Sequence, residues 1–203
     1  MAKSAIMRTG MPSPLGHALA GLAIAIVAGR PNRDGDSAPR QQIPKMLLAA
    51  PLVAALPDAD LLIPHFHRTA THSLVATAFV MILTVAVTGQ VNGRISWRLV
   101  LGLGAAHASH VLLDWLGADP FQPAGLQVLW PFSQQFLISG WDVFPPTERR
   151  LWDNPLALPI NLRAGLTELA IMGPVVGASW LATRRRRSRV RTFDRDGRQP
   201  PSV

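Results

Sequence analysis

Cysteine and tyrosine are both absent from this chain of 203 residues. Without cysteine there is no disulfide, no thiolate metal site and no sulfur nucleophile, and nothing that reports the redox compartment. Glutamate is almost missing too, with Glu148 and Glu168 the only two. Catalytic proton transfer therefore falls to histidine, aspartate, Glu168 or water activated by a metal. Also lacking are a P-loop, a dinucleotide fingerprint, a Gly-x-Ser-x-Gly elbow and any internal repeat, which removes the commonest nucleotide-binding and serine-hydrolase readings.

What is present is apolar. Hydrophobic residues make up 48% of the chain, enough for one domain with a real core or for several membrane spans. The net charge is +8, and the stretch Arg184 to Arg198 supplies six of those charges through eight arginines set against Asp194 and Asp196. The chain divides accordingly into a membrane-embedded domain, residues 1–183, and a basic, disordered cytoplasmic tail, 184–203. The simplest partner for the tail is a surface of anionic lipid headgroups. Nucleic acid is not an expected partner, because no aromatic residues interleave with the arginines and no nucleic-acid-binding fold is recognisable.

Five apolar runs define the architecture: an all-α, polytopic membrane bundle of four to five helices with a long interfacial loop. The first, Ala18 to Gly29, follows Lys3 and Arg8 and also fits a signal peptide. It is short for a span of about 20 residues, so a half-buried helix is a further reading. A polar loop from Arg30 to Lys45 leads to Ile43–Pro64, then Leu74–Val91, which Thr69 or Thr71 can cap. After the turn Asn92-Gly93-Arg94 comes Trp97 to Gly117, and finally Gly165 to Ala182. Residues 118–164, bearing Trp130, Trp141 and Trp152, read equally as a loop on the headgroups or as a lid over a substrate.

The fourth run carries His107, His110 and Asp114, which on a helix fall within an arc of roughly 60°. Ionisable groups in hydrocarbon face a bundle interior or a wet cavity, and generally serve a function there. If the runs cross alternately, His17, Asp58, Asp60, the His65–His72 stretch, His110, Asp114 and Glu168 all reach one side. The other side then holds fourteen of the twenty lysines and arginines, which makes it cytoplasmic and turns the polar cluster outward. His65 reads as a surface residue. Bland alternatives remain: Asp58 and Asp60 can neutralise Arg68, and Glu168 can complement its own helix dipole.

The order of these motifs resembles the bacterial membrane-bound metal-dependent hydrolases, a family of inner-membrane proteins some of which are described as LexA-binding. The resemblance rests on Gly16-His17, Pro57-Asp58-Ala59-Asp60, His67-Arg68-Thr69-Ala70-Thr71-His72-Ser73, Ser109-His110-Val111-Leu112-Leu113-Asp114 and Gly125-Leu126-Gln127-Val128-Leu129-Trp130-Pro131. Glu168 matches a glutamate in the family's last helix. Thr69 stands where the family has glycine, the stretch from Asp114 to Gly125 is longer than in the family, and His107 has no counterpart. The resemblance implies ligation by His110 and Asp114 but says nothing of His107, and it brings no substrate.

The expectation is an integral, multi-pass inner-membrane hydrolase holding one or two divalent ions, zinc or manganese, through His17, Asp58, Asp60, His72, His110 and Asp114. His67 or Glu168 would shuttle protons, and Arg68 would hold the anionic group of a phosphoester or lipid-derived substrate. The alternatives are a metal or proton transporter, whose polar groups would have to reach both sides, and a non-enzymatic protein in which metal pins helix ends.

Overall fold

The protein is described from a computed structural model that covers residues 11–29, 39–62, 67–149, 152 and 154–196, excepting the side chains of 39–44, 62, 92 and 186–196. Lys3, Arg8, residues 30–38, His65, Arg150 and the last seven residues lie outside it; of the loop expected from Arg30 to Lys45, the described part, 39–45, is instead the start of a helix.

Five α-helices form in chain order: α1 Pro14–Ala28, α2 Pro39–Ala55, α3 Leu74–Asn92, α4 Trp97–Leu116 and α5 Ala157–Asp196. Two 3-10 stretches, Leu56–Leu62 and Ala70–His72, join α2 to α3. Among the described residues there is no strand, only isolated bridges between Gly117 and Phe144 and between Leu126 and Leu137. The all-helical class is thus as expected.

Local chemistry sets the boundaries. Ser13 caps α1, its hydroxyl accepting from the Leu15 amide, and Pro14 occupies the first turn, where a missing N–H costs nothing. Ser73, rather than Thr69 or Thr71, caps α3, its hydroxyl 3.1 Å from the Ala76 amide. Gly93 ends α3 at φ +65°, a left-handed turn that glycine adopts without strain. The last helix starts earlier than its apolar run does, because Asn154 accepts from the Leu156 amide at 2.9 Å and Pro159 falls in the first turn. It also continues as helix to Asp196, where the basic composition suggested an irregular tail.

Among the described residues, three helices are long and apolar enough to cross a membrane, over Leu74–Val91, Trp97–Leu116 and Ala157–Arg185, and α1 is a shorter apolar helix. Burial is inverted in the manner of a membrane protein: α3 leaves Phe79, Ile82, Leu83, Val87 and Val91 exposed and buries Thr84 and Thr88. Those hydroxyls donate back to the Val80 and Thr84 carbonyls, so they need no partner from another helix.

Helix α4 is central, touching α1, α2 and α3, while α1 also packs on α2 and α5. Small residues make these approaches possible. A Cβ on Gly102 would lie 1.7 Å from the Met46 Cε, and one on Gly21 would lie 2.5 Å from the Ala50 carbonyl oxygen. Ala25, Met46, Ala50, Ala54 and Ala106 fill the seam between α1, α2 and α4. Ala20, Leu113, Phe144 and Met172 form a second cluster, which seats the irregular segment described between α4 and α5 against α1, α4 and α5. That segment is tied down by Gln127 N–H to the Arg68 carbonyl, Leu74 N–H to the Val128 carbonyl, and Thr147 Oγ1 to the Met11 carbonyl, each at 2.9 Å. It thereby covers the bundle end where α1 and α3 begin and α4 finishes.

Gly21→Val drives side-chain atoms into the α2 backbone, which cannot swing aside, and is expected to destabilise by about 1–3 kcal/mol or more. Gly89→Ala, with open space around it, should leave stability unchanged or slightly raised. Thermal melting of the two variants in detergent measures this, and equal melting temperatures would show that α1 and α2 are not in close contact.

Candidate metal centre

Four segments deliver their polar side chains to this covered end. His17 comes from the first turn of α1, Asp58 and Asp60 from the 3-10 stretch after α2, and His67 and His72 from the turn before α3. His110 and Asp114 lie one turn apart near the end of α4. All seven are buried, with His17, His72 and His110 wholly so and Asp114 almost so.

Asp114 is the meeting point. Its carboxylate lies 3.2 Å from His17 Nε2, 3.1 Å from His110 Nε2 and 3.4 Å from His72 Nε2. Two trios of ligand atoms result, each with its members within 4.8 Å of one another: His17, His110 and Asp114, and Asp58, His67 and His72. The His72–Asp114 contact and a 3.9 Å approach of His17 Nε2 to Asp58 Oδ2 join the trios.

Hydrogen bonds settle the tautomers. His110 Nδ1 lies 2.7 Å from the Ala54 carbonyl, an acceptor left free by the last turn of α2, so Nδ1 carries the proton. Asp60 accepts from His67 Nδ1 at 2.7 Å and faces His72 Nδ1 at 3.2 Å, with Thr71 Oγ1 donating to its second oxygen. Burial works to raise the Asp60 pKa, but these donors outweigh it and hold the carboxyl well below the usual carboxylate range. Burial, opposed by Asp60, pushes His72 down towards its neutral form. Each of these histidines therefore turns an Nε2 lone pair inward.

Those inward atoms have no hydrogen-bond partner. His67, His72 and His110 Nε2, both nitrogens of His17, and both oxygens of Asp58 and Asp114 are buried and unsatisfied. Buried polar atoms are normally paired, and so many orphans together fit a cation: neutral imidazoles and carboxylates are the donors that zinc and manganese take. Asp60, placed among the ligands by sequence, here orients two histidines. His67, expected to move protons, supplies a ligand-type nitrogen.

Arg68 and Glu168, both expected at the site, and His107, to which no role was assigned, face elsewhere. Arg68, at φ +66°, pairs with Asp119 and lies within 3.5 Å of the Pro123 and Gly125 carbonyls, so its guanidinium holds the irregular segment. His107 meets Thr77 Oγ1 at 2.9 Å, because it sits a turn deeper on α4, where α3 packs. Glu168 is fully buried in the fourth turn of α5 and accepts from the Ser13 amide and hydroxyl and from the Gly16 amide at 2.9 Å. It thus complements the N-terminus of α1 rather than of its own helix. The sequence reading missed Arg149, whose Nη2 lies 3.7 Å from Asp58 Oδ1. It sits in a Pro-rich stretch without periodicity, and the sole hint was the shortage of buried cations beside three aspartates.

A family model described as YdjM inner membrane protein matches residues 11–186. Inner membrane protein YbcI of Escherichia coli (strain K12) is similar to the chain, 30% identical over 142 residues that cover 66% of this chain and 75% of the relative. No solved structure matches.

Glu168→Ala leaves the Ser13 amide unpaired and the Gly16 amide with the Ser13 carbonyl alone, and is expected to destabilise by about 1–3 kcal/mol, with Glu168→Gln, which keeps one acceptor, less affected. Detergent melting decides between roles: a glutamate that only shuttles protons would leave both variants as stable as the wild type.

Proposed function

The chain belongs to the YdjM inner membrane protein family, and from that premise we propose that it is a multi-pass hydrolase using one or two divalent ions, zinc or manganese. His17, His110 and Asp114 would hold one ion and Asp58, His67 and His72 a second. The observation that carries this reading is the set of buried, partnerless Nε2 and carboxylate oxygen atoms converging at one end of the bundle. Left as they are, such atoms cost several kcal/mol in a medium without water. A divalent ion in such a donor set supplies Lewis acidity and lowers the pKa of water from about 15.7 to about 7.

The chain's own residues do the rest. Asp60 and the Ala54 carbonyl fix the Nδ1 protons of His67, His72 and His110, which holds the rings in one orientation and raises their basicity. The irregular segment described between α4 and α5 limits access of bulk water from above. A substrate at this end meets the site at the membrane interface, which favours a phosphoester or lipid-derived molecule. Exposed Phe132, Trp141 and Trp152 on the same segment suit headgroup contact.

The transporter alternative is disfavoured by depth. Among the described residues, the buried polar groups towards the opposite end are Thr84 and Thr88, whose hydroxyls bond to their own helix. An ion path would need ligands there.

Metal analysis of full-length protein purified without chelator is expected to give one or two divalent ions per chain. His110→Ala or Asp114→Asn should release at least one ion while helical content by circular dichroism stays unchanged. Wild-type protein that carries no stoichiometric divalent ion, and gains none on titration, would falsify the proposal.

The charge distribution orients the chain with its basic C-terminal stretch in the cytoplasm and the metal centre outward. Because the chain has no cysteine, Pro120→Cys and Arg195→Cys report topology cleanly. An impermeant thiol reagent on intact spheroplasts should label position 120 and spare 195; the opposite pattern would invert the orientation.

A further inference from the structure

We propose that Arg149 is the residue that receives the phosphoryl oxyanion of the substrate, a role for which its geometry suits it and that of Arg68 does not. The proposal rests on the metal-hydrolase reading above and names its substrate chemistry.

Arg68 is already saturated by Asp119 and two backbone carbonyls. Arg149 is not. Its Nη2 stands 3.7 Å from Asp58 Oδ1, too far for a hydrogen bond though close enough for charge attraction, and its Nη1 is buried with no hydrogen-bond partner. A guanidinium that only neutralised Asp58 would gain by closing that gap and pairing both nitrogens. Instead the fork lies beside a ligand of the second trio, with a quarter of the side chain still exposed. An incoming group can therefore reach it from outside the bundle.

Charge narrows the class of that group. Asp58, Asp60 and Asp114 bring three negative charges to the cluster. Two divalent ions together with Arg149 outweigh them by two positive charges, which matches a phosphoryl dianion and overcompensates a carboxylate. Two of its oxygens also match the planar fork of arginine, a geometry that lysine cannot copy.

The test uses full-length, metal-loaded protein in detergent, titrated with inorganic phosphate by calorimetry, with metal content determined on every sample. Wild type should bind phosphate, Arg149→Met should bind it about tenfold more weakly or worse, and Arg149→Lys should fall between. Arg163→Met, which removes an exposed charge from α5, should match wild type. Metal content should be equal in all four. Displacement of phosphate by phosphatidate in phosphatidylcholine nanodiscs but not by glycerol phosphate would put the phosphoryl group on a lipid, and the reverse on a soluble ester; both support the assignment. Fully metallated wild type that ignores phosphate, or an Arg149→Met loss no larger than that of Arg163→Met, overturns it and leaves the metal reading standing. Wild type that binds no metal overturns both.

Discussion

Asp114 is a carboxylate buried away from bulk solvent, and the arrangement of the bundle follows from that constraint. Three imidazoles from α1, α4 and the turn before α3 point at it. They can do so only if α1 and the residues leading into α3 come close to the end of α4. The glycines and alanines of α1, α2 and α4 grant that closeness, since each absent methyl group lets backbones approach where larger side chains would hold them apart. Apolar packing alone would tolerate many registers between these helices. A buried polar cluster tolerates few, because a slip of one turn moves a charged group about 5.4 Å away from its partners.

The two aspartates of Pro57-Asp58-Ala59-Asp60 show how backbone geometry separates chemically identical groups. They sit in a 3-10 stretch, where three residues make a turn, so side chains two apart point about 120° away from each other. Asp60 turns towards the Nδ1 atoms of His67 and His72, while Asp58 faces His17 and Arg149. In an α-helix they would point nearly opposite ways, about 160° apart, and in a strand both would share a face. One motif thus provides a carboxylate that orients two histidines and another that faces the opposite side of the cluster.

The fold class and the convergence of His17, Asp58, His72, His110 and Asp114 were legible in the sequence, because hydrophobic period and length mark helices and alternate crossings bring their ends to the same side. Contacts between distant segments were not legible. Glu168 looked like a site residue for lack of other glutamates, yet it caps α1 across 152 positions of chain. Arg68 looked available because its neighbours are histidines, yet Asp119, in a loop without periodicity, takes its guanidinium. His107 shared a helical face with His110, but a face is wide enough for one residue to meet α3 while the other meets α2. Helix ends were likewise blurred: α5 begins before its apolar run, since capping rather than hydrophobicity sets where it starts, and it continues through the basic residues that follow.

The pairing of Glu168 with the first turn of α1 also bears on how the molecule comes into being. A ribosome delivers Ser13 and Gly16 long before it delivers Glu168, and until α5 enters the membrane the amides at the head of α1 have no carboxylate to meet. His17 is carried on that same turn. The His/Asp cluster can thus be synthesised as far as Asp114 while one of its helices still lacks its final anchor. A chain halted before its final helix would contain every histidine and aspartate of the cluster but no clamp on α1, so quality control that senses a loose first helix would be sensing an unfinished last one.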